Sequence, residues 1–535
     1  MQRSSGILLP VSALPSPYGI GTLGKEARKF VDFLAAAKQT YWQVLPLGPT
    51  SYGDSPYQCF SSFAGNPYYV DLEELIALGL LKKEEVEAVD WGWDRRYVDY
   101  EKVYFGRRRI LRQAFARFKD EAALARFVQN NPRIEEYALF MAIKDQFGGR
   151  PWTRWPQEGL RKRKQSTLEL YGAILKEEVD FYCFVQMFFF RQWRSIREYA
   201  AEKGVMIIGD LPIYVAADSA DVWANPALFD LDEEHLPREV AGVPPDYFSP
   251  TGQLWGNPLY DWEAHKQEGY AWWKERLRAA YRLFDVVRID HFRGFADYWC
   301  VPYGAATAQN GRWKKGPGMD FFRAAKEDVP GAELIAEDLG FLSEAAAKLR
   351  EEAGLPGMRV LQFAFDGGPE NAYLPHHYTK ECVCYTGTHD NDTLVGWLEG
   401  LEGEKRSFVR RYCGLNHEEG YHWGCIRAGS ASVAGLFVLQ MQDILGHGSF
   451  ARTNVPGTLG MNWRWRLEPM EALEWMAARL ADVTELYGRA PEWTPAAAEG
   501  VGAALPAGAA ALTAKEEAPG GQSAESAPAA RAANA

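Results

Sequence analysis

Eight short apolar runs, mostly separated by amphipathic stretches, constrain this chain more than any other feature. They are Gly6–Leu9, Trp42–Leu47, Val205–Leu211, Asp285–Asp290, Glu333–Asp338, Met358–Phe363, Cys382–Tyr385 and Gly435–Met441. They are bounded by turn-forming residues and do not alternate strictly between apolar and polar. That is the character of parallel strands covered on both faces. Segments such as Lys25–Lys38 and Tyr270–Leu283 carry the apolar stripe of a covering helix. Eight strands with intervening helices predict an α/β fold, a closed (β/α)8 TIM barrel rather than an open sheet.

Two intervals are too long for a plain crossover. Gly48 to Gly204 contains helix-like pieces such as Leu72–Leu80, Lys82–Val89, Tyr104–Lys119 and Ile134–Phe147, and predicts an inserted, mostly helical subdomain over about 48–204. Ala216 to Trp262 is rich in Pro, Gly, Asp and Trp and predicts a loop insertion. Both follow the C-terminal end of a strand, where barrel enzymes place their active sites. Residues 1–490 are thus expected to form one catalytic barrel. From 491 to 535 the chain is mainly Ala, Gly, Pro, Ser and Glu. Such a segment cannot bury enough apolar surface to offset chain entropy, and it predicts a disordered tail without a catalytic role.

Composition excludes several classes of function. The formal net charge of -12 argues against a nucleic-acid or anionic-membrane surface. The one basic run, Arg161–Lys164, is expected to be a solvated loop. Seven scattered cysteines without a CxxC pair predict free thiols in a reducing compartment. The proline-broken N-terminus and the lack of a long apolar run predict a cytoplasmic protein without a membrane span. Gly19-Ile-Gly21-Thr-Leu-Gly24 matches a dinucleotide fingerprint, but no acidic residue ends the next strand, so a tight turn is expected. No phosphate loop, zinc motif or acidic calcium loop occurs; no metal and no cofactor are expected. Aromatics make up 14% of the chain, many beside Pro, Gly and Asp, which suits stacking against the apolar faces of sugars.

Four candidate strands end in carboxylates: Asp210, Asp290, Glu337 and, just beyond the seventh, Asp390. In a barrel these ends converge on one cleft. Singly, each acid could be a helix cap or a rim ion pair; four at equivalent ends predict chemistry. Glycoside cleavage needs one ionised carboxylate and one that holds a proton. Arg288, two residues before Asp290 on the same strand, is expected to hold Asp290 ionised as nucleophile. The apolar neighbours of Glu337 are expected to raise its pKa for acid–base work. Asp390 with His389 is expected to grip substrate hydroxyls. His389 has no second His at ligand spacing, which leaves a metal role unsupported.

VRIDHFRGF (Val287–Phe295), IAEDLG (Ile335–Gly340) and TGTHDND (Thr386–Asp392) resemble signature regions of the 4-α-glucanotransferases, the amylomaltases or disproportionating enzymes of glycoside hydrolase family 77. The segments Tyr41–Tyr69, Ile207–Trp223, Pro244–Tyr260 and Asn462–Arg466 match others, so the resemblance covers roughly residues 5 to 490. It implies transfer of an α-1,4-glucan segment to the 4-hydroxyl of an acceptor, through a covalent intermediate on Asp290 with Glu337 as acid and then base. The implied partners are α-1,4-glucans and malto-oligosaccharides; protein partners are not implied. Position by position, the resemblance places Ser55 and Tyr57 in the cleft and Asp210 on sugar hydroxyls. It puts Asp246 and Trp255 on an arching loop, and Tyr52 on a platform for longer glucans. Asp390 matches the family's His-Asp pair, with Asp392 the second choice. The carboxylates alone leave two other readings open: a hydrolase of the α-amylase group, and a glycan-binding protein without activity.

Overall fold

In the computed structural model, which describes residues 2–245, 249–340, 343–469 and 474–491, all eight apolar runs form strands of one closed parallel barrel. Twelve strands occur in the described residues: β1 (Ser4–Leu8), β2 (Tyr41–Gln43), β3 (Met206–Pro212), β4 (Glu239–Val243), β5 (Gln253–Pro258), β6 (Val286–Asp290), β7 (Asp297–Pro302), β8 (Arg312–Lys315), β9 (Glu333–Ala336), β10 (Gly357–Val360), β11 (Cys382–Tyr385) and β12 (Leu436–Gln440). The barrel runs β1, β2, β3, β6, β9, β10, β11, β12 and closes from β12 back onto β1 through five register pairs, Ser4↔Leu436 to Leu8↔Gln440.

The barrel is held by packing on both sides of its wall. Trp42 of β2 is fully buried and meets Phe30 edge-on at 5.2 Å and Trp193 at 6.5 Å. Trp193 lies on the helix Lys176–Glu202, whose length takes it from the inserted helices back to the barrel wall. Its indole N–H donates to the Leu283 carbonyl at 3.0 Å, tying that helix to the chain entering β6. On β3 the outward position is Gly209, where a Cβ would lie 2.0 Å from the Phe284 ring. Only glycine permits that approach, and it fixes the strand so that its neighbour Asp210 faces inward.

The insertion after β2 is helical, with α-helices at Leu72–Ala77, Lys83–Glu87, Tyr100–Arg117, Glu121–Gln129, Pro132–Gln146, Glu158–Arg161 and Gln165–Ile174 before the long helix. The basic run is largely a turn with Lys162 and Lys164 exposed, but its two arginines are half-buried. Arg163 lies over the Trp223 ring at 4.3 Å and pairs with Glu136 at 2.8 Å, while Lys162 pairs with Glu158 at 2.7 Å.

The segment 216–262 also departs from expectation. Instead of a loop alone, it contributes a short helix, Ala220–Ala224, and strands β4 and β5. These join β7 and β8 in a four-stranded antiparallel sheet, order β5-β4-β7-β8. Its strands are short and interrupted by Pro and Gly, and two come from beyond β6, so no local run carries the pattern. The seven cysteines are free thiols, six of them buried. Among the described residues no helix is long and apolar enough to cross a membrane, and no group of His, Cys, Asp and Glu could hold a metal ion. Residues 492–535, expected as a tail, lie outside the described residues.

Candidate active site

Strand register assembles the acids. β3 pairs with β6 so that Asp210 faces Arg288 and Pro212 faces Asp290. β6 pairs with β9 as far as Ile289↔Ala336, and the Glu337 N–H donates to the Ile289 carbonyl at 3.0 Å. Three acids separated by up to 127 positions in the chain therefore lie on or just beyond three adjacent strands at one end of the barrel.

Arg288 is the hub. Its Nη1 donates to both oxygens of Asp210 at 2.7 Å and to Asp290 Oδ1 at 3.1 Å. The Arg288 side chain is 4% exposed, that of Asp210 0% and that of Asp290 29%. Asp210 is thus the buried counter-ion, and Asp290 is the one open to the cleft. The predicted Arg288–Asp290 contact is present, but the closer partner of Arg288 is Asp210. Burial works against the Arg288 charge, yet Asp210 and then Asp290 outweigh it and raise its pKa well above the ordinary value. Burial also pushes the Asp210 carboxyl up, while Arg288 pulls it down.

Removing one member of a buried pair leaves the other uncompensated. Asp210→Ala is expected to destabilise the fold by about 3 kcal/mol, the lower end of such losses because Asp290 remains beside Arg288. Denaturant unfolding checks this; a loss below about 1 kcal/mol, the scale of exposed pairs, would show that the pair is solvated.

Glu337 is fastened by two backbone donors. Its Oε1 accepts from the Leu339 N–H at 2.9 Å and its Oε2 from the His291 N–H at 2.8 Å. His291 delivers that N–H from a left-handed conformation, φ 52°, which is costly for a residue with a Cβ. The Glu337 pKa is pushed up to about 7. Burial is the largest cause and the charge of Asp290 adds to it, against the pull of Arg288 and the two N–H groups. The His291 ring is half-buried; desolvation pushes its pKa down to about 4, and it meets Trp255 edge-on at 4.8 Å.

The third acid sits on the loop after β11. Tyr57 donates to Asp210 Oδ2 at 2.7 Å and lies 3.1 Å from His389 Nδ1, with the two rings stacked at 4.8 Å. His389 Nε2 is 3.3 Å from Asp390 Oδ1. The Asp390 side chain is 45% exposed. Asp392 differs: its Oδ1 accepts from the Thr393 N–H at 2.8 Å and its Oδ2 from Ser449 Oγ at 2.7 Å. Of the two acids in TGTHDND, the structure ties both oxygens of Asp392 to Thr393 and Ser449 and joins Asp390 to the His389–Tyr57–Asp210 chain.

The remaining positions divide. Ser55 lies in the turn before Tyr57 and accepts the Tyr57 N–H at 3.3 Å. Tyr52 is not joined to the carboxylates; it is 68% exposed, donates to the Gly149 carbonyl at 2.6 Å and stands edge-on to Phe60. Asp246 lies outside the described residues. Sequence reasoning missed His291, because nothing in a strand-end dipeptide announces a left-handed residue. It also missed Arg452 and Asn454, which reach Asp390 from the loop after β12.

With this geometry in place, comparison with known proteins decides the family. The 4-α-glucanotransferase family model matches residues 9–472. The chain belongs to the 4-α-glucanotransferase family. The enzyme of that name from Clostridium butyricum is 47% identical over 485 residues, covering 90% of this chain and 99% of its own. The one from Thermus thermophilus is 48% identical over 503 residues, covering 91% and 99%. An amylomaltase from Streptococcus agalactiae, solved in complex with acarbose, superposes with a TM-score of 0.90 at 39% identity over 92% of this chain and 100% of its own. Its activity is therefore 4-α-glucanotransfer on α-1,4-glucans, and the amylomaltase fold is the barrel described above. This removes the reading of a glycan-binding protein without activity.

Proposed function

We propose that Asp290, Glu337 and Asp390 carry out the transfer by double displacement with retention at the anomeric carbon. The observation that carries this reading is the link between the first two acids. Glu337 bonds to the N–H of the residue that follows Asp290, so nucleophile and proton donor are set by one backbone turn.

In the first step an Asp290 oxygen attacks the anomeric carbon of a bound α-glucan as Glu337 gives its proton to the departing 4-oxygen. The product is a β-glucosyl ester on Asp290 and a shortened glucan. Ester formation removes the Asp290 charge that helps hold the proton on Glu337, so the Glu337 carboxyl becomes a stronger acid in the intermediate. Left ionised, it takes the proton of an incoming 4-hydroxyl. That oxygen attacks the anomeric carbon from the α face, and the Asp290 carboxylate leaves.

Asp390, His389 and Tyr57 grip the hydroxyls of the reacting sugar, and Asp210 orients Arg288 and Tyr57 from below. Trp255 supplies a stacking face beside His291, and Ser55 supports the turn that carries Tyr57. The family match supports Asp246 as a further contact on the 244–256 segment and Tyr52 as an outer platform for longer chains.

Incubation with maltotriose alone tests the reading. Glucose is expected, together with a ladder of longer oligomers whose new linkages are all α-1,4. Maltose and glucose alone, or any β-linkage, would overturn it.

A further inference from the structure

Asp390 is held from a loop to which the steps above assign no part. Asn454 Nδ2 donates to Asp390 Oδ1 at 2.6 Å. Arg452 Nη2 donates to the Asp390 carbonyl at 2.6 Å, and its Nε donates to the Asn454 carbonyl at 2.8 Å. Arg452 thus joins the main chains of the two residues whose side chains meet. A few residues earlier Ser449 Oγ reaches Asp392 at 2.7 Å. The loop after β12 therefore grips the loop after β11 at three points.

Asn454 is itself well anchored. Its neighbour Thr453 accepts the Trp463 N–H on its carbonyl at 2.7 Å and the Gln442 Nε2 on its hydroxyl at 2.9 Å. Gln442 and Thr453 are buried, so these bonds are shielded from competing water.

The contacts on the Asp390 carboxylate are one-sided. Asn454 and His389 both address Oδ1, and among the described residues no hydrogen bond reaches Oδ2. A short side chain that is 45% exposed is otherwise free to change rotamer and lose its aim. A donor fixed on one oxygen holds the carboxylate in one orientation and leaves the other oxygen for a sugar.

We propose that Asn454 is a positioning residue for this reaction, supported by Arg452. It holds Asp390 Oδ1 so that Oδ2 faces the hydroxyls of the reacting sugar. The inference rests on the assignment of Asp390 as the third carboxylate, and a control separates the two.

The test compares Asn454→Ala, Asn454→Asp and Asp390→Asn, each in the full chain with maltotriose. Asn454→Ala is expected to lower kcat by about 10- to 100-fold, the cost of a misaimed group, with KM within about threefold and the unfolding midpoint nearly unchanged. Asn454→Asp places a carboxyl against Asp390. At low pH the pair shares one proton, the new carboxyl donates as the amide did, and turnover is retained. As pH rises the pair loses that proton, the two charges repel, and turnover falls, so the optimum moves to lower pH. A merely structural role would lower the midpoint in step with activity and leave the shape of the pH profile unchanged.

Turnover within twofold of the parent in Asn454→Ala, or an unshifted profile in Asn454→Asp, would overturn the proposal. If Asp390→Asn abolishes turnover while Asn454→Ala does not lower it, only the role of Asn454 fails. If Asp390→Asn keeps full turnover, the assignment of Asp390 fails instead.

Discussion

Asp290→Asn is expected to lower turnover of maltotriose by at least about 10⁴-fold while leaving the barrel folded. The amide is nearly isosteric with the carboxylate but is a poor nucleophile, so no glycosyl ester forms at a useful rate. A loss of this size corresponds to about 5–6 kcal/mol of transition-state stabilisation, more than one altered hydrogen bond supplies. The fold should tolerate the change, because Asp290 is 29% exposed and Arg288 keeps Asp210 as its closer partner. Asp210→Ala is the contrast, since it removes the counter-ion that has no exposure. Product separation over long incubations measures the first effect, and an unfolding curve shows that it is not collapse. Turnover within tenfold of the parent would remove Asp290 as nucleophile.

The contrast between these two aspartates shows what a sequence can carry. Strand-end acids are legible because each follows its own apolar run, and the C-terminal ends of barrel strands meet by topology. Asp210, Asp290 and Glu337 needed only a count of strands. The division of Arg288 between Asp210 and Asp290 was not legible, because it depends on the register of β3 against β6. His291 was hidden for a different reason: its contribution is a backbone N–H aimed by a positive φ, and His carries no turn signal. Asn454 lies in a loop 64 positions from Asp390, and a pairing between two loops leaves no periodicity. The antiparallel sheet was missed because its four strands come from two segments separated by β6. Asp390 and Asp392 were separated in sequence by a match alone; that Ser449 and Thr393 occupy both oxygens of Asp392 depends on loop contacts no sequence pattern carries.

Glu337→Gln is expected to lower kcat/KM for maltotriose by about 10³- to 10⁴-fold and to change its pH dependence. In the parent the first step needs Glu337 protonated. With its pKa pushed up to about 7, kcat/KM should be highest below that value and fall as pH rises through it. Gln cannot titrate, so the residual activity should lack that alkaline limb. The Leu339 and His291 N–H groups address different oxygens of Glu337, so the single amide oxygen can keep one of these bonds and the amide NH2 faces the other donor, which confines the structural damage to part of this network. A donor whose leaving group needs no proton separates the two roles of the residue. With a maltosyl fluoride of α configuration, the variant should form the Asp290 ester but transfer it slowly, for want of a base. Azide needs no deprotonation, and it should accelerate turnover and yield the α-glycosyl azide. The corresponding product from Asp290→Ala should be the β-azide, because azide then attacks the bound donor directly in place of the missing carboxylate. An α-azide from Asp290→Ala would show that Asp290 is not the nucleophile, and a Glu337→Gln enzyme that keeps the alkaline limb would show that Glu337 is not the group that moves the proton.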